Sequence, residues 1–318
     1  MQYEPRGEVR TNDTVQTWRD SGRFFEFRGR RIFYRRQGDG PTVLLVHGYP
    51  FGSFEWHRIW ARLTANLDVI APDMLGMGFS DKPIRGGYSL MAHADMHEAL
   101  LRELGVDRFA VVGHDLGVSV VQEMLARRAD DPTLPAIRAA AFLNGGLFAE
   151  TYRARPIQQI LSTPAGHVIG PLLPRSAIQK AVTGLFGPDT KPTNADLEPL
   201  LDILRHNGGR YVSHLIGRFV QERRQSRDRL VQPLVDGAVP MVFVNGTADP
   251  NSGAHMVARY RELVPNPQVV ELPGIGHWPQ LEAPDATVES VLEFLMAAGW
   301  RARTAGALVP ARPRPRLR

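Results

Sequence analysis

Cysteine does not occur in this chain of 318 residues. Disulfides, thiolate nucleophiles and cysteine-held metals are therefore excluded. The chain is compatible with a reducing compartment. Long hydrophobic runs are missing as well. Nothing approaches the roughly 18 uninterrupted apolar residues of a membrane helix, and the N-terminus has no apolar core of a secretory signal. A cytoplasmic protein with no membrane span is the expectation. No internal repeat is visible. Acid is scarce in one place only. The net charge is +5, but Arg301, Arg303, Arg312, Arg314, Arg316 and Arg318 lie in a stretch with no Asp or Glu. Without those six arginines the rest of the chain stands at −1. Nucleic acid is therefore not an expected partner. The tail 301–318, with Pro310, Pro313 and Pro315, is expected to be disordered.

What is present is a rhythm of short apolar runs and helical patterns. Residues 24–27 and 31–36 read as a hairpin joined at Gly29. Further strands are expected at 42–46, 69–71, 109–112, 139–143, 241–244 and 269–272. The near-continuous apolar character of several runs suits strands buried on both faces. Helical patterns cover 91–104, 117–127 and 287–298. Strands alternating with helices predict an α/β fold with a mostly parallel, eight-stranded sheet flanked by helices. The stretch 148–235 breaks the rhythm, with no convincing buried strand. It is read as an inserted helical lid, which would exclude water and shape a pocket. The expected organisation is an N-terminal extension over 1–20, core over 21–147, lid over 148–235, core again over 236–300, then the tail.

The most informative motif is Val111-Val112-Gly113-His114-Asp115-Leu116-Gly117. A buried strand meets a tight turn, which presents one side chain and then enters a helix. This is the pattern of a nucleophile elbow, with Asp where Ser is usual. A carboxylate is ionised near neutral pH and needs no base to attack. It acylates poorly but suits an electrophilic alkyl carbon. Asp115 thus points toward epoxide opening or halide displacement. His114 is expected to point away from the pocket.

An ester on Asp115 must then be hydrolysed, which calls for a base and an acid to orient it. His277, in Gly274-Ile275-Gly276-His277-Trp278-Pro279, follows the last expected strand. Asp249 follows the strand before it. The order nucleophile, acid, histidine suits the fold, although Asp before Pro also commonly caps a turn. The backbone N–H groups of Leu116 and Tyr49 are placed to form an oxyanion hole. His47 is read as a group that fixes its loop. Trp56 and Trp278 are candidates to line or support the pocket, although packing in the core is the commoner role for such residues.

His47-Gly48-Tyr49-Pro50, the run from Asp73 to Pro83, the elbow and Gly276-His277-Trp278-Pro279-Gln280 together resemble the α/β-hydrolase branch of epoxide hydrolases and haloalkane dehalogenases. Asn144-Gly145-Gly146-Leu147-Phe148 and Phe186-Gly187-Pro188 are similar to the mesoderm-specific-transcript-like proteins. The resemblance implies an α/β-hydrolase fold and no metal or organic cofactor. The partners it implies are a small apolar electrophile and water. It says nothing of oligomeric state. Dehalogenases hold halide with a Trp after the nucleophile and an Asn in the first loop or a Trp in the lid. Here those positions are Leu116 and Tyr49, and residues 148–235 contain no Trp. Epoxide hydrolases use lid tyrosines as proton donors, which implies Tyr152 and Tyr211. Phe219 falls nearer the family's late-lid position and is expected in the substrate pocket, and His206 and His214 are substitute donors. Epoxide hydrolysis is the expected activity. Halide displacement, another hydrolysis and a non-catalytic scaffold are the alternatives.

Overall fold

The computed structural model describes residues 14–155, 159, 163, 166–237 and 239–300. The expected disordered tail and most of the N-terminal extension lie outside them. Eight strands form one sheet in the order β1-β2-β4-β3-β5-β6-β7-β8. They are β1 (Arg23–Phe27), β2 (Arg30–Gln37), β3 (Thr42–Val46), β4 (Asp68–Pro72), β5 (Arg108–Gly113), β6 (Ala136–Phe142), β7 (Met241–Gly246) and β8 (Val269–Leu272). β1 and β2 pair antiparallel, as do β2 and β4. Every other pairing is parallel. The fold class expected from the sequence is the one observed.

Alternation along each strand divides the core in two. Val43, Leu45, Val69, Ala110, Val112, Ala141 and Val244 pack on one face. Leu44, Val46, Ile70, Val111, Ala140, Phe142 and Phe243 pack on the other. Both faces are covered, so both sets are apolar and the strands read as continuous runs. Helices α2 (His57–Thr64), α3 (Leu90–Glu103) and α4 (Leu116–Asp130) cross between the first strands.

The N-terminal extension, for which no element is expected from the sequence, contains one described helix. Val15–Asp20 is a helix, α1, started by a capping box between Thr14 and Thr17. Trp18 is its anchor: fully buried, it meets Trp60 and Phe54 edge-on. One large aromatic group supplies enough apolar area to dock a short helix that its polar neighbours do not advertise.

Between β6 and β7 the described residues form helices and connections only. The helices are Gly166–Leu172, Arg175–Thr183, Asn194–Arg205, Gly209–Ile216, Phe219–Gln225 and Arg227–Asp236. Asn194–Arg205 opens on a Thr193–Asp196 capping box, which satisfies its first free N–H groups. No described helix is long and apolar enough to cross a membrane.

Candidate active site

β5 ends at Gly113 and α4 begins at Leu116, so the chain turns sharply at Asp115. Asp115 takes φ 47°, ψ −108°. A non-glycine residue seldom adopts a positive φ, and such strain persists only where the surroundings enforce it. Two contacts do so here. The Asp115 N–H donates to the Asn144 carbonyl at 2.8 Å. At Gly117 a Cβ would lie 2.1 Å from the Val46 carbonyl oxygen, so only glycine lets the helix start this close to β3.

Both oxygens of the buried Asp115 carboxylate are accounted for. Oδ2 accepts the Tyr49 N–H at 3.1 Å. Oδ1 faces His277 Nε2 at 3.6 Å. On the far side of the ring, His277 Nδ1 lies 2.8 Å from Asp249 Oδ2. Asp249 Oδ2 also accepts from Ser252 Oγ at 2.6 Å and from Asn144 Nδ2 at 3.1 Å, and Oδ1 accepts the Asn251 N–H at 2.8 Å. So many donors define a carboxylate. Nδ1 therefore carries hydrogen and Nε2 is turned toward Asp115. Burial pushes the Asp249 carboxyl up, but the His277, Ser252 and Asn251 donors outweigh it and leave it below its usual range. Burial would lower the His277 imidazole. The Asp249, Asp115 and Glu55 carboxylates overcome that and raise it to about 9.

Behind this line lies a second buried pair. Glu55 Oε1 accepts the Gly48 N–H at 3.0 Å and lies 2.8 Å from His114 Nδ1. His114 Nε2 donates to the His277 carbonyl at 2.8 Å. The pair ties the His47–Pro50 loop to the histidine loop. His114 is fully buried, turned away from the cavity. His47 Nε2 accepts the Met74 N–H at 2.9 Å, which fixes its loop as expected.

A cavity lies over Asp115 and His277. Tyr49 and Trp278 line it from the core, and Val182, Ser213 and His214 from the helical segment. Its lining is mainly apolar, as expected of a site for an uncharged organic molecule.

Several expected residues stand elsewhere. Trp56 is fully buried behind His114, its ring edge-on to it at 6.3 Å, and does not reach the cavity. Phe219 packs against the Tyr49 ring at 6.0 Å and under the Arg223 guanidinium at 5.0 Å, also outside the lining. Tyr152 is buried with its hydroxyl accepting from Asn251 Nδ2 at 3.1 Å, and Arg223 lies over its ring. Tyr211 is 48% exposed, its hydroxyl accepting from Arg210. Neither tyrosine lines the cavity among the described residues. His206 sits edge-on to Phe79 at 5.1 Å, also outside the lining. Tyr211 follows from helix phase: on Gly209–Ile216 it faces solvent while Ser213 and His214 turn inward.

Asn144 and Glu55 escaped the sequence reading. The one available signal for Glu55 was an acid set between Phe54 and Trp56. Asn144 stood out only as part of a family-like string.

A family model described as the alpha/beta hydrolase family matches residues 43–290. The chain is 35% identical to LipZ of Mycobacterium tuberculosis over 287 residues, 90% of this chain and 99% of that protein. It is also 35% identical to the mesoderm-specific transcript protein of Mus musculus over 295 residues, 88% of each chain. A haloalkane dehalogenase loop variant from Bradyrhizobium elkanii superposes with a TM-score of 0.75 at 20% identity, covering 88% of this chain and 97% of that one.

Proposed function

The chain belongs to the alpha/beta hydrolase family, and we propose that it opens epoxides to vicinal diols through an ester on Asp115. The observation that carries this reading is the division of labour on that carboxylate. Tyr49 N–H holds Oδ2, and Oδ1 is left beside His277 Nε2 at 3.6 Å.

Oδ1 attacks the less hindered epoxide carbon. Oδ2 becomes the ester carbonyl, already seated on the Tyr49 N–H. Water then attacks the ester carbon with His277 as base and Asp249 as its orienting partner. The tetrahedral oxyanion forms on Oδ2, against the Tyr49 and Leu116 N–H groups. Each such donor typically lowers the barrier by about 3 kcal/mol.

The charges favour this order of events. In the free enzyme Asp115 is one of the anions that hold His277 up at about 9. Alkylation moves that charge off the carboxylate that faces Nε2 and onto the ring oxygen and its proton donor, so the imidazole loses part of its support and releases its proton more readily. The base becomes available when there is an ester to cleave.

One turnover in heavy-oxygen water tests the route. Label must enter the Asp115 carboxylate, and label confined to the first diol would overturn it. His277→Gln protein should accumulate an alkyl-enzyme, visible as a mass increase equal to the epoxide.

Halide displacement is the second reading. Trp278 lines the cavity, and its indole Nε1 has no hydrogen-bond partner among the described residues. One N–H donor is therefore available to a departing halide. Paired epoxides and haloalkanes, read for diol and free halide, separate the two.

A further inference from the structure

Opening an epoxide leaves charge on the ring oxygen, and a positioned acid must meet it. Tyr49 is the one tyrosine that lines the cavity among the described residues, alongside Asp115 and His277. Its backbone and side chain do different things. The N–H is bound to Asp115 Oδ2 at 3.1 Å, which fixes the residue beside the carboxylate. The phenol reaches the helical segment, where its oxygen lies 2.6 Å from Ser213 Oγ. Phe219 packs on the ring at 6.0 Å and limits its swing.

We propose that the Tyr49 hydroxyl, paired with Ser213, protonates the epoxide oxygen as Asp115 attacks. The assignment rests on the epoxide reading above and replaces Tyr152 and Tyr211 as donors. In the first step the Oδ1–carbon bond forms and the ring carbon–oxygen bond breaks. The released electron pair stays on oxygen, which takes the Tyr49 proton. The Ser213 hydroxyl then donates to the phenolate. Hydrolysis consumes one water. One of its protons goes through His277 to the departing diol oxygen. The other returns to Tyr49 as Asp115 regains its carboxylate, and no other reagent is needed. Burial, opposed by the Ser213 contact, and the nearby Asp115 charge hold the phenol up at about 12. It therefore keeps its proton at neutral pH, while an alkoxide is basic enough to remove it.

The test uses full-length His277→Gln protein, 1,2-epoxyhexane and intact mass to time formation of the alkyl-enzyme. Adding Tyr49→Phe should slow alkylation by about 10²–10⁴-fold, the usual span for a general acid, with an unchanged melting temperature. A rate within about threefold of the parent would overturn the assignment and leave the covalent route standing. Should Tyr49→Phe not fold, alkylation of the His277→Gln protein in heavy water decides. A solvent isotope effect of about twofold is expected for proton transfer in that step, and a ratio of one overturns it. If His277→Gln protein forms no alkyl-enzyme from any epoxide, the epoxide reading falls and this assignment falls with it.

Discussion

Asn144 grips Asp249 from the neighbouring strand end. Its Nδ2 donates to Asp249 Oδ2 at 3.1 Å. The same residue's carbonyl accepts the Asp115 N–H at 2.8 Å, and its Oδ1 accepts the Gly246 N–H at 2.7 Å. One buried residue, through its carbonyl and its side-chain amide, therefore ties the elbow, the end of β7 and the acid loop into one frame. Neighbouring strand ends can splay, and this amide prevents it. Asn144→Leu keeps the branched shape of the side chain and strands the Gly246 N–H. Each buried group left unpaired costs about 1–3 kcal/mol. The urea midpoint should fall accordingly. Hydrolysis of the alkyl-enzyme should slow about tenfold or more, since each 1.4 kcal/mol is a factor of ten. Unaltered values for both would show that Asn144 is not a positioning residue.

Stability should fall on the alkaline side through His277. Its imidazole rises from 6.5 to about 9 in the folded protein, because Asp249, Asp115 and Glu55 outweigh burial. A raised value means that the folded state holds the proton more tightly than the unfolded one. The resulting stability is fully present below about 6.5, the unfolded value, and is lost as pH rises through about 9. Melting temperatures from pH 6 to 10 should show this decline in the parent and a flatter curve in His277→Gln.

The acid side should depend on His93. Both of its ring nitrogens are buried with no hydrogen-bond partner among the described residues, and α3 places His97 one turn away. Burial first, then His97 and His47, lower His93 to about 3, and burial lowers His97 to about 4. A lowered imidazole gives stability that is present above the unfolded value of about 6.5 and lost as pH falls through the folded one. His93→Leu removes one unpaired buried imidazole. It should leave the melting temperature at pH 7 level or higher and make the loss between pH 6 and 4 shallower. An unchanged acid limb would clear His93 of that role.

Gly117→Ala should be far costlier than its single methyl suggests. The new Cβ would stand 2.1 Å from the Val46 carbonyl oxygen and 2.8 Å from that of His47. Both are backbone atoms of β3 and its loop, so no rotamer change relieves the overlap. Overpacking typically costs about 1–3 kcal/mol, occasionally more. The shift should also move the elbow, so alkylation should slow along with the loss in the denaturation midpoint. An alanine protein with parental stability would contradict this packing.

Much of the scaffold was legible in one dimension. Runs such as Val43–Val46 and Phe109–Val112 are apolar at every position because helices cover both faces of the sheet. The elbow was legible because Gly113, Asp115 and Gly117 stand at fixed spacing within a single turn. Asp249 and His277 could be nominated because each follows a strand. Their meeting, with 2.8 Å between Nδ1 and Oδ2, joins residues 28 apart in sequence. The helix at Val15–Asp20 was illegible because its docking depends on one fully buried side chain, Trp18, with the half-buried Val15 beside it.

Sequence by itself determined the alternation of elements, the parallel sheet and the carboxylate at its sharpest turn. These follow from local rules: hydrophobic period, glycine freedom and the ionisation of Asp. Only tertiary structure decided which phenol meets the cavity. Tyr152 lies outside the cavity lining with its hydroxyl accepting from Asn251, Tyr211 faces solvent, and Tyr49 reaches across to Ser213, 164 residues along the chain. Side-chain direction in a helical insertion is set by packing against the core, and that is a property of neighbours distant in sequence.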